Sequence, residues 1–216
     1  MKTQFLASLV LVLSIASFSQ AALLSNLLAG DTLLHDGLTL SDWTYAESGD
    51  GTTPDATEVN VNSNGSILQI QFVANDFPNP GAASIGEEVA TDGLLGFKVS
   101  GRPVTGVSLN ANPNISGSAG PNSFGEVVES IFDSGLDPNT NDLQLFVENQ
   151  PAGVLAPGPD TTIFTSPVSS FRVVKDIQLF AVSSGRVSIS VIEQEFLPEP
   201  SSAGLLSIAG LAALGM

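Results

Sequence analysis

The 216 residues carry 22 acidic side chains against 6 basic ones, a formal net charge of −16. Such a surface repels phosphate backbones and anionic headgroups, which removes nucleic acid from the candidate partners. There is no cysteine and only one histidine, so a disulfide framework, a thiolate nucleophile and the usual zinc sites have no residues to build them.

The chain opens with Met1-Lys2-Thr3-Gln4, a short positive segment, followed by an apolar run over residues 5–18 broken only by Ser8, Ser14 and Ser17. Ser19-Gln20-Ala21 then offers small residues where a signal peptidase reads. The expectation is a signal peptide over residues 1–21, helical in its apolar part, cut between Ala21 and Ala22. Residues 22–196, about 175 in number, are enough for one domain with its own core. An exported protein of this size without disulfides must hold together by packing.

Within that domain the apolar period is two. Leu38 and Leu40 alternate, and Trp43 and Tyr45 then take the opposite parity, which predicts a bulge near Ser41-Asp42. Leu68, Ile70 and Phe72 alternate with glutamines. Leu95, Phe97 and Val99 follow the same rule, as do Leu143, Leu145 and Val147, then Ile177, Leu179 and Ala181, and finally Val187, Ile189 and Val191. Each reads as a strand with one buried face. Asn64-Gly65 between apolar runs reads as a hairpin, while residues 75–81 and 151–160 are rich in turn formers. Only residues 86–90 and 126–132 could pass for a helical turn, and the second alternates as well as it turns. The fold class is therefore all-β, an antiparallel sandwich of roughly eight to ten strands, jelly-roll or Ig-like, flanked by an N-terminal signal helix and a C-terminal apolar helix.

Chemistry is sparse. His35 stands before Asp36 in a short polar turn and reads as solvated rather than catalytic. Glu87-Glu88 and the Glu193/Glu195 pair supply carboxylates, but adjacent residues of a strand point to opposite faces and nothing selects a glycosidase pair. The expectation is that the protein is not an enzyme. Asp133, Asp137, Asn139 and Asn141 place oxygen side chains at alternating positions, the spacing a calcium loop uses. Pro138 stands where an EF-type loop needs glycine, and Gln144 where a bidentate glutamate would close the shell, so an Asx-rich turn competes with the calcium reading. Trp43 and Tyr45, two apart on a strand, share one face. They either pack in the core or form an aromatic platform for sugar rings.

After Phe196 comes Leu197-Pro198-Glu199-Pro200-Ser201-Ser202 and then an apolar stretch, residues 203–216. Two prolines in three residues stop the arriving strand. Ser201 and Ser202 can cap a new helix that is apolar all round and prefers lipid to water. The arrangement resembles the PEP-CTERM sorting tail of Gram-negative surface proteins, a Pro-Glu-Pro motif followed by a short transmembrane helix and a few arginines. Here no arginine follows, and 14 residues give a helix of roughly 21 Å against a hydrocarbon core of about 30 Å, so the tail over residues 197–216 reads as short or incomplete. Leu40 to Tyr45, residues 167–177, and residues 187–196 running straight into the tail are likewise similar to a group of uncharacterised exported PEP-CTERM proteins.

That resemblance implies an exported surface or matrix protein of structural or interaction type, transiently anchored in the envelope of a Gram-negative-type bacterium. Its partners would be signal peptidase and an exosortase-like membrane protease acting at Pro198, Glu199 and Pro200. A carbohydrate-binding module for exopolysaccharide, working through Trp43 and Tyr45, is the competing reading, and a glycoside-active enzyme comes third. No cofactor is expected beyond a candidate calcium ion.

Overall fold

The computed structural model describes residues 20–51, 53–72, 77–79, 88–119, 122–132, 142–148 and 159–199. Its strands are β1 (Gln20–Leu23), β2 (Leu33–His35), β3 (Leu38–Gly49), β4 (Val59–Asn64), β5 (Ile67–Phe72), β6 (Phe77–Asn79), β7 (Glu88–Ala119), β8 (Phe124–Phe132), β9 (Asp142–Glu148) and β10 (Asp160–Pro198). A short helix, α1 (Leu24–Leu28), and a 3-10 turn over Ala56–Glu58 complete the described elements. All strand pairings are antiparallel, as the period of two requires of a sheet with one wet face.

Two strands organise the rest. β7 and β10 run 32 and 39 residues and pair with each other along most of their length. Residues 88–100 of β7 pair with 170–182 of β10, with β3 and then β2 on one side and β8 and then β9 on the other. Beyond Gly101, where φ is +130°, and Ser183, where φ is +63°, the same two strands enter a second layer. There residues 183–198 of β10 lie between β7 and β5, which pairs with β4 and β4 with β1; β6 extends the β5 side. The register shifts between Val182 and Ser183 and between Ile163 and Val168 mark where β10 changes layer.

The layers pack face to face. Phe171 of the first and Phe196 of the second bring their rings to 6.1 Å, and His35 lies edge-on to Phe196 at 5.8 Å. Leu40, Phe97, Val99, Val173, Ile177 and Leu179 from one side meet Val61, Leu68, Ile70, Val107, Ile189 and Ile192 from the other, all buried. The strands whose alternation was readable and whose side chains are described bury their expected apolar members, except that Tyr45 is only partly buried, and that Val191 is half-exposed and Ile192 takes its place. A bulge between Ile189 and Ile192 moves the phase by one. Asn112 holds it open, its Oδ1 accepting from Ser190 N at 3.2 Å and Val191 N at 2.7 Å.

The bulge expected near Ser41-Asp42 is present: the β3 to β7 register shifts between Ser41 and Thr44, and Asp42 adopts φ +53°. The expected hairpin is also present, with its loop one residue later. Asn64 pairs with Ile67, so Gly65 and Ser66 form the turn, and Gly65 takes φ +61° at the first central position, where a type II′ turn demands glycine.

At three places the structure goes beyond the sequence reading. Residues 126–132, open between helical turn and strand, are strand, paired to β10 on one side and β9 on the other with alternate residues buried. Phe77-Pro78-Asn79, inside a stretch read as turn, pairs with β10 instead; proline is tolerated there because it enters at the ladder's edge. α1 has no counterpart in the sequence reading, which took no helix from Leu24 and Leu27; these residues, three apart, put one apolar edge into the core. The signal and tail helices fall outside the described residues. Among the described residues no helix is long and apolar enough to cross a membrane.

Candidate functional site

Side chains of one strand point alternately inward and outward, so β10 presents two polar groups back to back. On the outer face of the second layer, Glu193 accepts from Gln69 Nε2 at 2.8 Å and from Asn110 Nδ2 at 3.1 Å. Gln71 Nε2 donates to Gln69 Oε1 at 3.4 Å, and Asn62 Nδ2 to Gln71 Oε1 at 2.9 Å. The result is a ladder of amides and one carboxylate crossing β4, β5, β10 and β7, half-buried throughout. Mutual hydrogen bonds orient these groups while their remaining donors and acceptors face water, which suits hydroxyl-rich ligands.

On the inner face the next residue, Gln194, joins Lys175 and Glu129. All three are fully buried. Lys175 is opposite Glu129 across the β10 to β8 pairing, and its Nζ forms an ion pair with Glu129 Oε2. The same Nζ donates to Gln194 Oε1 at 2.5 Å, and Gln194 Nε2 donates to Ser108 O at 3.2 Å. Glu129 Oε1 is buried with no hydrogen-bond partner among the described residues. Burial pushes the Lys175 ammonium below the usual lysine range, against the opposing pull of Glu129. Sequence reasoning missed this cluster. The signal was parity: Lys175 falls in phase with Phe171, Val173 and Ile177, Glu129 with Val127 and Ile131, and Gln194 with Ile192 and Phe196.

The predicted site residues fare differently. Trp43 is 6% exposed and stacks on Phe97 with ring centroids 4.6 Å apart. Of the two alternatives for this pair, Trp43 takes the core-packing one, because the bulge turns it inward onto Phe97. Tyr45 follows on the same side, packed against the core, and its hydroxyl donates to Pro54 O at 3.0 Å. Burial first, then Glu47, pushes its phenol well above the ordinary tyrosine range. The turn it touches is closed by a capping box, Asp55 accepting from Thr57 N at 2.8 Å and Glu58 accepting from Asp55 N at 3.1 Å. Thr57 holds the Asp55 carboxyl below its ordinary range.

The reading of His35 is corrected. It is 1% exposed, not solvated, since Asp36 and Gly37 at φ +46° and +76° make a tight hairpin that folds β2 over the edge of the second layer. Its Nδ1 lies 2.9 Å from Ser63 Oγ and its Nε2 3.2 Å from Ser66 O, so the ring ties β2 to the β4/β5 hairpin. Burial lowers its pKa, outweighing Ser66 and Asp36. Asp36 is held outside by Arg102, whose Nη2 reaches Oδ2 at 2.6 Å.

Asp92 and Asp176 meet on the outer face of the first layer. Burial, then the hydrogen bond and charge of Asp176, hold the Asp92 carboxyl above the usual carboxylate range. A shallow depression of about 90 Å³ beside Asp92 is lined by Ala46, Glu47, Ser48 and Leu94. Of the carboxylate candidates from the sequence, Glu193 is committed to the amide ladder with Glu195 two residues on along the same face of β10, Glu88 is exposed on β7, and Glu87 lies outside the described residues. Asp133, Asp137, Asn139 and Asn141, the calcium candidates, also lie outside them. Ala21 and Ala22 are in β1, paired with Asn62 and Val61, so the strand starts two residues before the expected domain boundary. Pro198 ends β10 exposed, Glu199 follows exposed, and Pro200 lies outside the described residues.

No family model matches the chain, and no curated protein matches it. Among solved structures the chain is similar to TmCBM61, determined in complex with beta-1,4-galactotriose: 12% identity, covering 70% of this chain and 88% of that one, with a TM-score of 0.34. At that degree of superposition no residue of the neighbour is carried onto this chain.

Proposed function

We propose that the protein is an exported structural or interaction domain, a sandwich of jelly-roll or Ig-like type, delivered by a signal peptide and sorted through a PEP-CTERM-like tail. The observation that carries this reading is the way β10 ends. The strand is held up to Pro198, with Thr105 Oγ1 donating to Leu197 O and Pro198 O at 3.2 Å each, and Pro198-Glu199 then stands exposed. A protease that recognises Pro198, Glu199 and Pro200 would meet an accessible segment whose cleavage leaves the domain intact. Intact mass of the protein from culture medium, matrix and membrane fractions of its own cells tests it. A product ending near residues 198–202 is expected; a soluble product retaining Met216 would sink the reading.

A second reading, a carbohydrate-binding face for exopolysaccharide, is favoured by the amide ladder rather than by Trp43. Oriented amides with one carboxylate match sugar hydroxyls, though the face carries no stacking ring among its named members. Glycan-array binding that is lost in Q69A/E193A but kept in W43F supports it. Binding unaffected by the ladder variant removes it.

A further inference from the structure

We infer that Lys175, Gln194 and Glu129 form a self-processing cross-link site, in which the lysine amine displaces ammonia from the glutamine carboxamide to join the central strand segments of the two layers. Lys175 lies on the first-layer arm of β10, between β7 and β8, and Gln194 on the second-layer arm, between β7 and β5. Their side chains meet across the core, where all three groups have no solvent exposure.

Nucleophile, electrophile and proton carrier are each in place. The ammonium passes a proton to the paired Glu129, giving a free amine and a carboxylic acid. Burial, which disfavours the charged amine, assists that step. The Nζ lone pair forms a bond to Gln194 Cδ as the carbonyl pair moves onto Oε1. Glu129 then gives its proton to Nε2 and takes one from Nζ. Collapse of the Oε1 pair breaks the Cδ–Nε2 bond, ammonia leaves, and an Nζ–Cδ amide remains beside a neutral Glu129.

Two further observations fit this chemistry. Gln194 Nε2 is held by Ser108 O, which fixes the carboxamide, and Glu129 Oε1 is buried and unpartnered among the described residues, which leaves an oxygen free to take part in the proton relay. Water, the competing nucleophile, is excluded from the site. The reaction also converts a buried ion pair into neutral groups, which relieves the desolvation cost of keeping two charges in a core.

The test is intact mass of the full chain under denaturing conditions, with termini fixed by peptide mapping and folding checked by a cooperative urea transition. The expected result is a deficit of one ammonia, located in a tryptic species that joins residues 173–186, uncut at Lys175, to the peptide beginning at Val187. E129Q keeps nucleophile and electrophile but has no carboxylate to carry the proton, and K175R has no primary amine; both should show the full mass. A folded wild-type chain of full mass overturns the inference. So does a deficit of one water joining Lys175 to Glu129, or an ammonia loss that maps to Asn64-Gly65, where a succinimide forms without any cross-link.

Discussion

Glu193 and Gln194 are neighbours in the chain and opposites in circumstance. Glu193 heads a ladder in which every hydrogen bond competes with water, whereas Gln194 sits in a cluster with the same kinds of groups and no solvent exposure. A hydrogen bond at a wet surface contributes little because the unfolded chain makes an equivalent one; a buried polar group left without its partner bears the full cost of desolvation. The two faces of one strand should therefore respond to mutation on different scales.

The largest effect is expected at Lys175. K175M leaves Glu129 charged and alone in the core and should destabilise by about 3–5 kcal/mol, measured by urea unfolding. The double variant E129L/K175M sharpens the point. If the cluster is a non-covalent pair, replacing both charges should be close to neutral; if Lys175 is tied to Gln194, the loss of a closed loop still costs about 3 kcal/mol. On the wet face, E193A should cost about 1 kcal/mol or less, since Gln69 and Asn110 can turn to solvent. A cost at E193A equal to that at K175M would break the comparison.

His35 lies between these extremes and adds a pH signature. Its folded pKa is lowered by burial, so below the unfolded value of about 6.5 the unfolded chain binds the proton more tightly. Stability should be full above that pH and fall as pH drops through it toward the folded pKa. In H35Q the fall should vanish in that window while Ser63 keeps a partner. Asp92 has the opposite sign. Its folded pKa is raised, so it favours the folded state at low pH and opposes it once pH rises through that value. D92N should stabilise at neutral pH by less than about 1 kcal/mol, because the group is largely solvent-screened, and the gain should disappear below about pH 4.

How much of this was legible in the sequence depends on what each residue had to reveal. Leu40 and Trp43 at opposite parity exposed the bulge, because a phase change in an alternating pattern has one cheap structural cause. Asn64-Gly65 exposed the hairpin but not its phase, since only pairing decides which residue takes the first turn position. Trp43 was legible as inward or outward but not which, because the choice rests on what the neighbouring strand offers, here the ring of Phe97 on β7. His35 looked solvated beside Asp36, yet Leu33 is buried in the same parity, and the tight turn after it sends Asp36 outside to Arg102. The Lys175 cluster was written as charges in apolar phase, but that the three residues meet follows only from the two-layer path of β7 and β10.

That path has a mechanical consequence. β10 is one continuous strand from Asp160 to Pro198, a member of both layers, and its last residues lead directly to the Pro-Glu-Pro motif. A pull applied at the tail would not peel off an edge. It would enter a segment flanked on both sides, by β7 and β5, and load the hydrogen bonds of the second layer in shear before any of the first layer felt it.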